Sequence, residues 1–175
     1  MTQHAIAFAG AAIDRADHIR SDPAALAALT DWRARLLRLD GLDPVIDADG
    51  QLTWGTLADA GAGSELLFLG LANGKACFAE VLPATGGSVA PASPRLWAAM
   101  AALDRAELAT YGAARSLVDW HARHRFCARC GNDTVLAKGG WQRTCGGCSA
   151  EHFQASHGPL PGPVHRFGWC GCAHG

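Results

Sequence analysis

Along the first half of the chain the spacing of apolar residues changes from a helical to a strand-like period. Leu26, Leu29, Trp32, Leu36 and Leu39 recur at close to the 3.6-residue repeat that lays side chains along one helix face. Ser21-Asp22-Pro23 before them is a helix start with Pro near the first turn, and Gly41 after Asp40 is a stop, so a helix over residues 22–40 is predicted. Next, Val45-Ile46 and Leu52-Thr53-Trp54 flank Asp49-Gly50, a pair suited to a hairpin because both central positions need positive φ. Leu66-Leu67-Phe68-Leu69-Gly70-Leu71 and Lys75-Ala76-Cys77-Phe78-Ala79-Glu80-Val81 repeat the device around Asn73-Gly74. Residues 1–92 thus read as a mixed α+β domain with an antiparallel sheet and helices, its Trp and Phe side chains in the core.

The run 83–94 is rich in Gly, Pro, Ser and Ala and reads as a linker. Ser93-Pro94 opens a helix with Leu96, Trp97, Met100 and Leu103 on one side. Asp104-Arg105-Ala106-Glu107 has the spacing of a capping box, in which each end residue bonds the other's backbone N–H. It starts a second helix through Leu108, Tyr111, Leu117, Val118 and Trp120, so residues 93–122 are expected to connect the first domain to a cysteine-rich C-terminal segment.

That segment carries the most specific chemistry in the chain. Cys127 and Cys130, then Cys145 and Cys148, form two CxxC pairs separated by fourteen residues. Each pair sits in a tight turn that lets two thiolates converge, and two such turns complete a closed tetrahedral shell suited to a structural Zn²⁺. The other reading of a CxxC, a redox pair, is less suited to two of them at this spacing, with Gly131 and Gly146-Gly147 supplying permissive backbone. Thr134 to Ala137 and Trp141 to Thr144 flank Lys138-Gly139-Gly140 and suit a short hairpin, with Trp141 expected to shield the metal. Residues 123–153 are therefore a small zinc ribbon, followed by an irregular tail over 154–175. His121 and His124 are spare ligands. In the tail, Cys170, Cys172 and His174 are either a second metal site or an adventitious one.

Composition narrows the partners only modestly. A net charge of −1 and a pI near 6.7 supply no global field for nucleic acid or an anionic membrane. Residues 1–8 lack the basic region and apolar run of a signal peptide, and no stretch approaches the ~20 apolar residues of a membrane span. A reducing cytoplasm is the expected setting, with Cys77 a buried free thiol in an apolar strand. Arg123, His124, Arg125, Arg129, Lys138 and Arg143 are either a phosphate-facing patch or a solvated surface whose charges stabilise thiolates.

The run Trp120-His121-Ala122-Arg123-His124-Arg125-Phe126-Cys127-Ala128-Arg129-Cys130-Gly131, with Gly139-Gly140-Trp141, the second cysteine pair and Ala150-Glu151-His152-Phe153, resembles the zinc ribbon of the NADH pyrophosphatases, which are Nudix hydrolases. Leu66-Leu67-Phe68-Leu69-Gly70 and the helix before Trp120 are similar to that family's N-terminal domain. The resemblance implies cleavage of the NAD(H) pyrophosphate into NMN(H) and AMP, removal of NAD caps from RNA in some members, and a homodimer. It also implies substrate contacts at Arg95 and at Phe153, where a ring could stack or simply pack, and puts in doubt an acidic contact that some members have where this chain has Gly140.

In the family, the metal-dependent chemistry belongs to a Nudix domain after the ribbon, whose glutamate-bearing helix holds Mg²⁺ or Mn²⁺ beside the pyrophosphate. Here Gln154-Ala155-Ser156-His157-Gly158-Pro159 stands where the family continues with Pro-Arg and a strand, and Glu151 is the sole carboxylate side chain after Cys148. No catalytic residue is assigned. A frame slip or early stop is expected to account for the change, which leaves an incomplete pyrophosphatase that is inactive alone. The alternative is a zinc-ribbon module that binds protein or RNA.

Overall fold

A computed structural model describes residues 10–81 and 94–154; the predicted linker, Ser93 and the tail cysteines lie outside the described residues. In chain order the elements are helices α1 (Asp17–Arg20) and α2 (Pro23–Ala28), then strands β1 (Arg35–Leu37), β2 (Leu39–Asp40), β3 (Asp43–Pro44), β4 (Trp54–Thr56), β5 (Leu66–Ala72) and β6 (Lys75–Glu80). Helices α3 (Pro94–Ala102) and α4 (Arg105–Arg123) come next, and then strands β7 (Thr134–Ala137), β8 (Gln142–Cys145) and β9 (Glu151–Phe153).

The main sheet runs β4-β1-β6-β5 and is α+β as expected, but it is mixed: β1 pairs antiparallel with β4 and parallel with β6. Hairpin β5–β6 forms around Asn73 and Gly74, at φ 50° and 73°, as the dipeptide predicts. Both faces of the sheet are covered. Leu67, Leu69, Cys77 and Ala79 bury against Leu96 and Leu103 and against Tyr111, Ala114, Leu117 and Val118 of α4. On the other side Leu36, Phe68 and Phe78 bury with Ala16 and Ala34, and Ile19, Leu26 and Leu29 pack against them. A strand with two apolar faces reads as a continuous apolar run, which is why 66–71 lacks alternation.

The predicted helix over 22–40 is corrected by this arrangement. Asp22 does cap it, accepting from the N–H groups of Ala24 and Ala25, but the helix closes at Ala28. Thr30 Oγ1 donates back to the Ala27 carbonyl, and Asp31 accepts from the Arg33 N–H, a local turn that competes with helix continuation. Leu36 and Leu37 then alternate between the two cores, a period of 2 that the sheet imposes on residues whose spacing also fitted a helix. Trp32, predicted as core, is 82% exposed. The expected hairpin at Asp49-Gly50 reduces to a bridge between Ile46 and Leu52, with the strand proper at Trp54–Thr56.

Helix α3 begins at Pro94, with Leu96 buried but Trp97 60% exposed, so its apolar face is narrower than predicted. Asp104 caps α4 by accepting from the Glu107 N–H, but Glu107 does not reciprocate. Its carboxylate accepts from the Leu52 N–H instead, at 3.1 and 3.2 Å, satisfying the donor of a bridge residue 55 positions away. Burial pushes the Glu107 carboxyl up from its ordinary value, against the lowering effect of that bond. Strands β7, β8 and β9 form a separate three-stranded antiparallel sheet, joined between β7 and β8 by a 3₁₀ turn, Lys138–Gly140.

Candidate metal centre and its docking surface

Two turns of the same construction bring the four cysteines together. In the first, the Cys127 N–H donates to Asn132 O and the Gly131 N–H to Cys127 O, both at 2.8 Å. In the second, the Cys145 N–H donates to Ala150 O at 2.9 Å and the Ser149 N–H to Cys145 O at 3.1 Å. The fifth residue of each turn has positive φ, Gly131 at 76° and Ser149 at 56°; Gly146 and Gly147, expected to do this, do not. A further bond, the Gly146 N–H to Asp133 O at 3.2 Å, links the two turns.

The four Sγ atoms lie within 4.8 Å of one another, with Cys127–Cys148 at 3.7 Å and Cys130–Cys145 at 3.4 Å. A tetrahedron with Zn–S of about 2.3 Å has edges of about 3.8 Å, so these separations fit an S₄ shell. The sulfurs also receive donors suited to thiolates. Arg129 N–H points at Cys127 Sγ at 3.4 Å, while Gly147 and Cys148 N–H point at Cys145 Sγ at 3.3 and 3.4 Å. The Cys148 N–H, with smaller contributions from the Gly147 N–H and the Cys130 thiol, brings Cys145 down to about 6 against the opposing effect of burial. His152, which sequence reasoning passed over, places Nε2 3.3 Å from Cys127 Sγ and can donate to a thiolate there. Its position in the middle of β9, in register with Arg143, offered no local signal.

The other end of the ribbon is a docking surface. Trp141 does not cover the cysteines: its Nε1–H donates to Phe68 O at 2.8 Å, and the Arg20 guanidinium lies 3.8 Å from its ring centroid. Arg20 is buried, which lowers its pKa to about 10, and its Nε and Nη2 have no hydrogen-bond partner among the described residues. At Gly140 φ is +94°, and a Cβ there would come within 2.4 Å of Leu67 Cδ2, so only glycine lets the turn rest on β5. His121, fully buried, bonds Gly140 O through Nε2 and Arg143 Nη1 through Nδ1, both at 2.7 Å. Arg143 also donates to Thr134 Oγ1 and Thr134 O at 2.7 Å and lies 3.8 Å from Glu65. His124 bonds Trp120 O through Nδ1. Neither histidine is a ligand, and Arg143 belongs to the interior and not to a surface patch.

The remaining candidates contribute no side chain to the cysteine cluster. Arg125 and Arg129 are exposed, and Arg123 pairs with Asp119. Arg95 falls in the first turn of α3. Phe153 on β9 is 58% exposed, with Lys138 Nζ 5.8 Å from its ring centroid. A cavity of about 370 Å³ opens beside Lys138, between Arg20, Leu26, Phe68, Phe78 and Leu136. No helix among the described residues is long and apolar enough to cross a membrane.

A two-faced mixed sheet and a long capped helix thus form one α+β unit, with a small four-cysteine module docked on the sheet. The sequence model of the NADH pyrophosphatase-like rudimentary NUDIX domain matches residues 24–120, and that of the NADH pyrophosphatase zinc ribbon domain matches 122–153. The chain belongs to the NADH pyrophosphatase family. Among similar curated proteins, the NAD-capped RNA hydrolase NudC of Mycobacterium tuberculosis (strain ATCC 25618 / H37Rv) is 33% identical over 138 residues, 74% of this chain and 43% of its own length. The NAD-capped RNA hydrolase NUDT12 of Homo sapiens is 40% identical over 47 residues, 27% of this chain and 10% of its own. The chain spans less than half the length of either relative.

Proposed function

We propose that these residues are the N-terminal and zinc-ribbon part of an NAD(H) pyrophosphatase acting on NAD(H) or NAD-capped RNA, and that the ribbon holds one structural Zn²⁺ on Cys127, Cys130, Cys145 and Cys148. The observation that carries the reading is the continuity of the family match through 24–153 together with the S₄ geometry. Zinc here folds the ribbon; it has four protein ligands and no open position for water. Phe153 and Arg95 are assigned to the substrate side, supported at Phe153 by an exposed ring with Lys138 and an open cavity nearby. The family's pairing of two copies is carried over as part of the same reading.

Hydrolysis itself needs cations held by carboxylates beside the pyrophosphate. Among the described residues, the one cluster of three or more metal-ligating groups is the cysteine set. The described residues are therefore assigned binding and scaffolding roles without turnover. NADH hydrolysis measured with Mg²⁺ and with Mn²⁺ tests this: no rate above buffer is expected, and a rate that copurifies with the protein and is lost in Glu151→Gln overturns it. The exposed Arg125 and Arg129 favour one second reading, a ribbon that binds RNA or protein. Chain binding to RNA of any 5′ end, with no preference for an NAD cap, would favour it.

A further inference from the structure

The ribbon is held on the long helix by a histidine whose two ring nitrogens face partners of opposite kind. An arginine guanidinium has donors and no acceptor, so Arg143 Nη1, 2.7 Å from His121 Nδ1, must donate to it. Nδ1 is then a lone-pair acceptor. The proton sits on Nε2, which donates to Gly140 O at 2.7 Å. The geometry thus selects one tautomer of the neutral ring and disfavours the imidazolium, which would aim a second N–H at Arg143.

We propose that His121 is an acid-sensitive clamp: neutral, it locks the Lys138–Gly140 turn and β8 onto α4 and β5, and protonation on Nδ1 releases that contact while the metal end of the ribbon stays folded. The charged groups around the ring point the same way. Arg143 from β8 is in contact and His124 lies one turn on along α4, where Trp120 stacks on it and meets the His121 ring edge-on at 4.8 Å. Arg125 adds positive charge near Arg143, and the sole facing carboxylate among the described residues, Glu65 before β5, is 3.8 Å from Arg143 and 47% exposed. Burial is the largest cause lowering the His121 pKa, and Arg143 adds to it. The contact released is large in consequence, because Gly140 and Trp141 are the residues that meet Leu67 and Phe68.

The test uses the zinc-loaded full chain. Proton–nitrogen correlation spectra of the imidazoles are expected to show His121 as the Nε2–H tautomer at pH 7.5. Hydrogen exchange of the Gln142 and Arg143 amides, corrected for intrinsic pH dependence, should show the opening equilibrium rising about tenfold between pH 7.5 and 5.5. That is the factor for uptake of one proton by an open-state histidine with a pKa of about 6.5. Bound zinc is followed in the same samples and should remain at one per chain when opening begins. His121→Gln, which retains a donor and an acceptor but does not titrate, should exchange equally at both pH values. An Nδ1–H tautomer, unchanged protection in the wild type, or an equal pH response in His121→Gln would each overturn the proposal. So would zinc loss that precedes opening.

Discussion

The main sheet and the ribbon reach order by different means. Between α4 and the sheet, Leu67, Leu117, Val118 and Tyr111 are completely buried, and the contact surface is apolar on both sides. Fully burying a Leu-sized side chain contributes about 1.5–3 kcal/mol, so this region is stabilised by area. The ribbon's three strands are short, Val135 and Phe153 stand exposed, and its buried positions include Thr134, Gln142, Arg143, Cys127 and Cys145. A module with so little apolar interior depends on directional polar bonds and, on the proposed reading, on a bound zinc. The difference teaches that the two regions should fail separately, and that the seam at Gly140 and Trp141 is where they are coupled.

Removing a ligand should separate them most sharply. Cys127→Ser or Cys148→Ser is expected to abolish stoichiometric zinc and loosen residues 126–153, since structural zinc contributes about 10–16 kcal/mol in small finger peptides. Hydrogen exchange should show β5 and β6 still protected; one tightly bound zinc in both variants would refute the S₄ assignment. Acid stronger than that needed to open the His121 contact should mimic the substitution, because protons compete with the cation for thiolates.

Leu117→Ala attacks the other region. It removes buried atoms beneath the sheet and is expected to cost about 2–5 kcal/mol in chemical denaturation, with zinc still at one per chain. If zinc affinity falls in proportion, sheet and ribbon form one cooperative unit and do not fail separately.

Gly140→Ala targets the seam. A methyl 2.4 Å from Leu67 Cδ2 on a residue with φ +94° should cost about 1–3 kcal/mol. The expected signature is a change in Trp141 fluorescence with both the sheet and the zinc site retained. An unchanged spectrum would show that the turn accommodates the methyl without leaving β5.

The smallest effect concerns Glu107. Burial raises its carboxyl pKa, so between the unfolded and folded values the native state binds more protons, and this group's contribution is present at low pH and lost as pH rises through the folded value. Glu107→Gln should remove that component of the denaturation midpoint, which lies just above the ordinary carboxylate range, and shift stability at neutral pH by roughly 1 kcal/mol or less. A steeper pH dependence in the variant would mean that the carboxylate bond to Leu52 outweighs its desolvation.

Much of this protein is legible in one dimension because the deciding forces are local. Asn73-Gly74 can form one kind of turn, Asp104 caps the helix it precedes, and two CxxC pairs converge because each thiolate is placed by its own turn. Residues 26–39 mislead because their spacing satisfies a helix as well as a strand, and pairing of Leu36 with Gly55 and Phe78, distant in sequence, settles the choice. Trp141 reads as a cover for the metal because nothing within the ribbon names Phe68 O as its acceptor. Glu107 fits its capping box, yet Leu52 takes its carboxylate from across the fold. The sequence alone determined the Asn73-Gly74 turn, the α4 cap, the convergence of the four cysteines and the family. Tertiary structure decided which face of the ribbon meets the sheet, which histidine is buried and which groups face its two ring nitrogens. Those outcomes depend on donors and acceptors brought together from distant segments, and no spacing along the chain encodes them.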